Sequence, residues 1–435
     1  MGQPNILFLF TDDQRLTTLG ALNNPEIRTP NLDRLVRSGT VFTRPYIMGS
    51  TVGAVCICSR SMLLTGRSLF RSPRDPQHGD GLALWPETLR QAGYTTFATG
   101  KWHNGPQAFA RCFSSGADIF FGGMSDHLKV PVHQFNPHGN YPREAARLGG
   151  KFSTELFSDA AIRFLETYEA QAPFFLYVSY TAPHDPRMAP REFAEMYRPE
   201  NIALPENFMP RHPFDNGELG IRDEQLAPFP RTPEVIRRHI ADYYAMITHA
   251  DFHIGRILEA LERTDHARNT IIVFAGDNGL ALGQHGLMGK QSLYEHSLSV
   301  PLVFAGPGIP AGRRCDALVY LHDVFPTTCD LAGIPTPQTV ESVSLVPILR
   351  GEKPPVREHI FGAYKDLQRC LIGQRWKLIR YPQVGVTQLF DLQADPWELN
   401  NLADDPAHAD TLLALDQRLR DHQRQLSDPL PLPPL

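Results

Sequence analysis

Short, unbroken apolar runs set the strongest limit on how this chain can fold. They fall at Asn5–Phe10, Tyr94–Thr99, Phe174–Tyr180, Ile271–Ala275 and Val300–Ala305, each closed by Gly, Pro or Asp, with helical patterning between them. A strand with one wet face alternates apolar and polar residues, whereas an unbroken run implies a strand buried on both faces. The pattern therefore predicts an α/β fold with a mostly parallel sheet covered by helices. The clearest helix follows Thr232-Pro233-Glu234, a cap and first-turn signal, and carries Ile236, Ile240, Tyr243, Ile247, Ile254, Ile257 and Leu261 at helical spacing. A Pro/Gly-rich stretch, Gly333–Pro355, divides this region from a C-terminal part with strands expected at His359–Tyr364, Leu371–Ile379 and Gln388–Leu392 and a polar helix at Ala407–Gln425. Two domains are expected, residues 1–345 and 346–435, ending in an extended proline-rich tail, Pro429–Leu435.

Composition removes several classes. With 42% hydrophobic and 20% charged residues the chain buries a core and is not disordered. Its 42 Lys+Arg against 47 Asp+Glu give no basic excess for nucleic acid and no acidic tail. Six cysteines are too few and too scattered for a disulfide scaffold. The Ile6–Phe10 run lacks a cationic flank and a cleavage site, so it reads as a strand and not a signal peptide. No run approaches the roughly 18 apolar residues of a membrane span. The expectation is a soluble protein without a membrane span, cytoplasmic, or periplasmic or secreted if a signal has been removed.

Four of the runs carry a polar cluster just beyond the carboxyl end: Asp12 and Asp13; Lys101 and His103; His184; Asp277 and Asn278. Ligands of open parallel sheets bind along that edge, so residues far apart in sequence meet there. Singly, each cluster reads as a cap, a turn or a solvated side chain; four at one edge point to a site. Asp12, Asp13, Asp277 and Asn278 offer only oxygen donors, which suit Ca2+ or Mg2+ better than Zn2+. A divalent ion beside Arg60, Lys101, His103, His184 and Lys290 describes a site for a tetrahedral oxyanion, a sulfate or phosphate ester.

Cys56-Ile-Cys-Ser-Arg60 opens an apolar helical run that ends in Leu64-Thr-Gly-Arg67. From the residues alone, Cys56 and Cys58 read as a redox pair, half of a metal site or two core thiols. A helix N-terminus beside Arg60 would lower the Cys56 pKa and permit a nucleophile. Hard-oxygen metal ligands, however, do not suit a thiolate partner.

These residues resemble the signature of the type I, formylglycine-dependent sulfatases of the alkaline phosphatase superfamily: Cys-x-Pro-Ser-Arg, then Leu-Thr-Gly-Arg. Further family motifs follow in order: Asn5 to Asp13, Thr29-Pro-Asn-Leu-Asp33, Gly100-Lys-Trp-His103, Pro183-His-Asp-Pro186, Gly276-Asp-Asn-Gly279 with His285-Gly-Leu-Met-Gly-Lys290, and Asp391-Leu with Asp395-Pro. An ordered set across nearly the whole chain is specific where one short motif is not. The resemblance implies an alkaline-phosphatase-like large domain with a mostly parallel central sheet, and a small C-terminal domain with an antiparallel sheet and a helix. It implies a sulfuric ester hydrolase in which a formylglycine-generating enzyme converts Cys56, and in which Asp12, Asp13, Asp277, Asn278 and the converted Cys56 hold Ca2+, with Mg2+ as the alternative. Lys101, Lys290 and Arg60 would orient the aldehyde hydrate and the sulfate oxygens. By the same resemblance one hydrate hydroxyl attacks sulfur, His184 protonates the leaving alcohol with help from Lys290, and His103 takes the proton of the second hydroxyl as sulfate is eliminated. One position departs from the signature: Cys58 stands where the family has Pro or Ala. That puts recognition by the maturing enzyme in question, and a Cys56–Cys58 disulfide would block conversion.

Lys101, His184 and Lys290 are expected to bind the sulfate. Arg187, His133 and the other polar residues of the Met124–Tyr141 loop, His127, Lys129 and His138, are candidates for the leaving-group pocket, with a solvated surface as the alternative. His249 and His253, four apart on the long helix, imitate a zinc pair without a third ligand in reach, so packing is expected. The expected substrate is a sulfated carbohydrate or another small sulfated alcohol. A phosphonate or phosphate ester hydrolase is the competing activity, and a catalytically silent binder of sulfated glycans follows if Cys56 stays a thiol.

Overall fold

The computed structural model describes residues 2–76, 81–352 and 357–435. Its central strand, Asn5–Thr11, is buried at every position. Ile6, Phe8 and Phe10 point into one apolar cluster and Leu7 and Leu9 into another, so the unbroken run serves two cores at once. The first core is covered by the helices Val55–Thr65, Trp85–Gln91 and Pro106–Cys112, the second by Pro30–Ser38, Ser153–Thr167 and Pro233–Glu262. Each fully buried Leu or Phe contributes about 1.5–3 kcal/mol to this arrangement.

The large sheet has eight strands in the spatial order Arg313–Cys315, Gly39–Phe42, Leu302–Ala305, Thr270–Gly276, Asn5–Thr11, Phe174–Ser179, Thr95–Lys101, Ser115–Phe120. Only Leu302–Ala305 runs against its neighbours; every other pairing is parallel. The expected α/β class is therefore the observed one. Thr232 caps the long helix, its side chain accepting from the Val235 N–H, and the helix runs 30 residues to Glu262. The Val55–Thr65 helix stops at Gly66, which holds φ at 62° while its N–H caps Met62 O at 2.8 Å. A Cβ there would lie 2.7 Å from Val340 Cγ1, which explains why glycine follows Thr65.

A second sheet follows near the C-terminus, with antiparallel strands Ile360–Tyr364, Gln368–Ile372, Trp376–Tyr381 and Val386–Asp391 backed by the helix Ala409–Leu426. Two expectations change here. The single strand expected over Leu371–Ile379 is two strands, because Gly373 turns the chain, its N–H meeting Trp376 O at 2.8 Å, and so short a turn leaves no gap in the apolar pattern. The sheet also recruits Gly49–Ser50 from the N-terminal part, parallel to Ile360–Tyr364. Gly49 has φ of 88°, and a Cβ would lie 2.1 Å from Ala363 O, so only glycine lets the two segments pair. The proline-rich tail is extended but docked: Leu432 is buried, Arg420 donates to Leu432 O at 2.8 Å and Arg380 to Pro433 O at 2.9 Å. Lys353, Pro354 and Pro355 of the Gly333–Pro355 stretch lie outside the described residues. Among the described residues, no helix is long and apolar enough to cross a membrane.

Candidate active site

The four strands that carry the polar clusters lie side by side in the sheet, so their carboxyl ends form a row: Asp277 and Asn278, Asp12 and Asp13, His184, Lys101 and His103. Cys56 enters from the second position of the Val55–Thr65 helix, and Lys290 from the loop after Asn278. The row is bonded into one buried cluster. Lys101 Nζ donates to Asp12 Oδ2 at 2.5 Å, Lys290 Nζ to Asp13 Oδ1 at 2.7 Å and Arg60 Nε to Asp277 Oδ2 at 2.8 Å. Asn278 Nδ2 donates to Asp13 Oδ1 at 2.7 Å. Arg60 also donates to Lys101 O and to Ser179 Oγ, tying the site to two strand ends. Asp13 and His103 hold φ at 67° and 73°, left-handed conformations that cost a non-glycine residue roughly 1–3 kcal/mol and persist only where the surroundings enforce them.

These donors fit a hard divalent cation. Ligand atoms of Asp12, Asp13, Cys56 and Asp277 lie within 4.8 Å of one another, all on buried residues. Asn278 Oδ1 is buried with no hydrogen-bond partner among the described residues, an acceptor left for something outside the polypeptide. Burial and the neighbouring Asp12 charge push the Asp277 carboxyl up to about 6, a repulsion that a bound cation relieves. Three carboxylates face three basic groups, so a divalent ion leaves the cluster with an excess of positive charge, the condition for holding an oxyanion.

Cys56 sits inside this cluster, Sγ at 3.2 Å from Asp12 Oδ1, 3.6 Å from Asp13 Oδ1 and 3.0 Å from Lys290 Nζ. The expected low thiol pKa is corrected here. Burial and the Asp12 charge push it well above the ordinary value, outweighing Lys101 and Lys290. Both signature cysteines are free, and Cys58 turns into the core with Sγ 3.8 Å from Thr51 Oγ1, so no Cys56–Cys58 disulfide forms. Burial first, then Lys290, holds His184 well below its usual pKa; burial first, then Lys101, pushes His103 down to about 2. His184 Nε2 lies 3.6 Å from Asp13 Oδ2, while Nδ1 is held by Asp185 O at 2.8 Å. His103 Nδ1 has no partner among the described residues.

Cys56, His103, His184 and Lys290 line a cleft of about 310 Å³ whose rim carries Met124, Glu218, Arg222, Asp223 and Lys365. A separate cavity of about 300 Å³, lined by Arg15, Arg44, Glu295 and Trp397, shares no residue with it. Of the two residues expected near the leaving group, neither lines the cleft directly, although the Arg187 charge acts on Asp13 and Asp223. His133 packs its ring against Phe121 and Tyr141, and Arg187 donates to His239 Nδ1 at 3.0 Å. His127 is buried, its Nε2 bonded to His184 O at 3.0 Å, so it supports the cleft from behind. His249 and His253 stack on each other at 4.7 Å and on Phe193 and Phe252, a packing role. Of the rim residues, Lys365 directly follows the expected strand His359–Tyr364 and Asp223 opens a short 3-10 helix, whereas Glu218 and Arg222 sit on irregular backbone with no periodic pattern to mark them.

A parallel-rich α/β sheet whose carboxyl edge gathers hard oxygen donors, two lysines, two histidines and a buried cysteine describes a site suited to esters of tetrahedral oxyanions. The sulfatase family model matches residues 4–334, and a model described as N-sulphoglucosamine sulphohydrolase, C-terminal, matches residues 283–425. The chain belongs to the sulfatase family and is a sulfuric ester hydrolase. It is 30% identical to choline-sulfatase of Rhizobium meliloti over 93% of this chain and 83% of that protein. It is 29% identical to an arylsulfatase of Clostridium perfringens (92% and 90% covered) and 28% identical to N-acetylglucosamine-6-O-sulfatase of Bacteroides thetaiotaomicron (98% and 87%). Among solved structures, a protein in complex with its substrate D-glucosamine-2-N,6-O-disulfate superposes with a TM-score of 0.83 at 24% identity, covering 98% of this chain and 99% of that one. The phosphonate monoester hydrolase of Agrobacterium radiobacter superposes with 0.77 at 22% identity, covering 98% and 96%. These last two show the shared fold.

Proposed function

We propose that the protein removes sulfate from a sulfated carbohydrate, with Cys56 matured to formylglycine and Ca2+ held by Asp12, Asp13, Asp277 and Asn278. The observation that carries this reading is the position of Cys56 Sγ, within 3.6 Å of two carboxylates and of Lys290 Nζ in one buried cluster. A neutral, buried thiol is a poor nucleophile and a poor ligand among hard oxygens, whereas an oxygen at the same place matches both roles. When present, the cation draws charge from the sulfate oxygens and the formylglycine supplies a nucleophilic oxygen.

The protein's own residues do the rest. Lys101 and Lys290, fixed by Asp12 and Asp13, offer N–H donors to the sulfate oxygens, and Arg60 pins Asp277. His184 directs Nε2 at the cluster because Nδ1 is occupied by Asp185 O, so Nε2 delivers the proton to the leaving alcohol. Arriving sulfate brings the negative charge that favours the protonated imidazole. His103, neutral and with Nδ1 free of a protein partner, receives a proton at that atom. A carbohydrate alcohol is supported by relatives named N-acetylglucosamine-6-O-sulfatase and iduronate 2-sulfatase.

The test pairs two measurements on protein made together with a sulfatase-maturing enzyme. Mass spectrometry of the peptide ending at Arg60 is expected to show formylglycine at position 56, and the same sample is expected to release sulfate from p-nitrophenyl sulfate faster than it cleaves a p-nitrophenyl phosphonate monoester. Full activity with an unmodified Cys56, or a preference for the phosphonate, overturns the proposal.

A further inference from the structure

The second cavity, of about 300 Å³, lies where Arg15–Thr17 and Arg44 face the loop that follows the strand Val386–Asp391. Leu16, Tyr46, Leu392, Pro396 and the part-exposed Trp397 give it a largely apolar wall. Four charged side chains share that wall, and three of them are already paired. Glu295 and Glu398 are both held by the buried Lys377 Nζ, at 3.0 and 2.7 Å. Glu295 also accepts from Tyr46 Oη, and Glu398 from the Glu295 N–H, each at 2.9 Å. Arg44 donates to Gln374 O at 2.6 Å and to Gly373 O at 2.9 Å. Arg15 is the exception: it is 5% exposed, its Nε is buried with no partner, and its side chain makes no ion pair or hydrogen bond among the described residues. Its guanidinium carbon stands over the Tyr243 ring, 5.3 Å from the centroid. The backbone holds it there, because Tyr243 Oη accepts the Arg15 N–H at 3.0 Å and donates to Asp13 O at 2.6 Å. With Lys377 counted behind the wall, three cations face two carboxylates, and the uncompensated charge is that of Arg15. A buried guanidinium with no anion is costly, so a cavity beside it is a place for one.

From this unpaired cation in an apolar cavity we infer a second binding site, separate from the catalytic cleft, for a small aromatic carboxylate. The carboxylate pairs with the Arg15 guanidinium, whose fork matches it, and the ring lies along Trp397, Leu392 and Pro396. Asn207 Oδ1 and His296 Nδ1, on residues of the same wall, are likewise buried without a hydrogen-bond partner, which suits a ring that carries an N–H or O–H. An inorganic anion gains the cation but leaves the apolar wall wet. A neutral aromatic molecule covers the wall but leaves Arg15 unpaired. Because the two cavities share no lining residue, the site fills independently of the reaction in the cleft.

The test is calorimetric titration of the full-length protein with indole-3-acetate, its neutral counterpart indole-3-acetamide, and inorganic sulfate. Indole-3-acetate is expected to bind with a Kd of about 1 mM or tighter, the acetamide about tenfold more weakly or worse. Arg15→Gln is expected to weaken the acetate by about tenfold or more, and Trp397→Ala by about threefold or more. Lys290→Ala, on the floor of the catalytic cleft, is expected to leave its affinity unchanged. The inference is overturned by no binding of the acetate up to about 5 mM, by sulfate or the acetamide binding as tightly, or by unchanged affinity in either folded variant. Loss of binding in Lys290→Ala overturns it too, since the probe then sits in the catalytic cleft. If Arg15→Gln loses its cooperative melt, Trp397→Ala and the comparison of acid with amide decide. No arm of the test needs turnover, so its failure is distinct from failure of the sulfatase reading.

Discussion

The floor and the rim of one cleft are built by different means. Most floor groups hang from strand ends or from the Val55–Thr65 helix, with Lys290 coming from a loop, and their charges are paired at side-chain exposures of 0–8%. Rim groups belong to loops, a short 3-10 helix and the turn after a strand, and their cations are a third to a half exposed. Buried pairs in a low dielectric are fixed in place and are costly to break one partner at a time, whereas half-exposed pairs are worth about 1 kcal/mol or less and rearrange cheaply. A cleft made this way can keep its reaction constant while its alcohol specificity drifts with the loops.

Substitutions test that division directly. Cys56→Ala removes the proposed nucleophile and is expected to lower kcat by about 10⁴-fold or more, with retained folding by circular dichroism; a modest loss would break the assignment of the floor. Lys290→Ala removes one donor to the sulfate and is expected to lower kcat/KM for p-nitrophenyl sulfate by roughly 10²–10³-fold. An effect under tenfold would place Lys290 with the rim.

Acid sharpens the comparison, because loss of activity has to be separated from loss of fold. Burial holds His249 and His285 down to about 3 and His253 and His322 to about 4, below the unfolded value near 6.5. The unfolded chain therefore takes up protons first, and the stability of the neutral histidines, complete above about pH 6.5, is lost as pH falls toward 4. Each contributes a loss of about 2 kcal/mol between pH 7 and pH 5. Asp251, Asp277 and Glu398, held up at about 6, about 6 and about 7 by burial, act in the opposite sense over the same window, but they are three against six, since burial also holds His103 down to about 2 and His239 to about 4. The urea midpoint is expected to fall from pH 7 to pH 5; a midpoint that rises contradicts these burial effects. The smallest effect belongs to the rim: Arg222→Ala is expected to change kcat/KM for p-nitrophenyl sulfate by less than about tenfold, since a simple aryl sulfate makes little use of the alcohol subsite.

Much of the floor is legible in the amino-acid sequence. Asp12, Asp13, Lys101, His103, His184, Asp277 and Asn278 each follow an unbroken apolar run, and a buried strand has to deliver its next residues to the sheet edge. Cys56 and Arg60 are marked by the helix that they open. The thiol's pKa is not legible in the same way, because helix position and Arg60 are visible in sequence while the burial and the Asp12 charge that overrule them are not. For Arg187 and His133, proximity in sequence suggests the leaving group, but contacts are not legible there: Arg187 donates to His239 while its charge acts on Asp13 and Asp223, and His133 packs on an aromatic pair.

By itself, then, the sequence determined the class of sheet, the groups offered at its carboxyl edge and the chemistry that hard donors and basic side chains permit, because periodicity and donor type are local properties. Only the tertiary structure decided that four clusters lie on four adjacent strands, that Gly49–Ser50 completes the C-terminal sheet, and that Asp185, Glu218 and Asp223 pair with the rim cations Arg222 and Lys365. Those facts depend on strand order and on which loops cross the cleft, and long-range pairing is written into no single stretch of the chain.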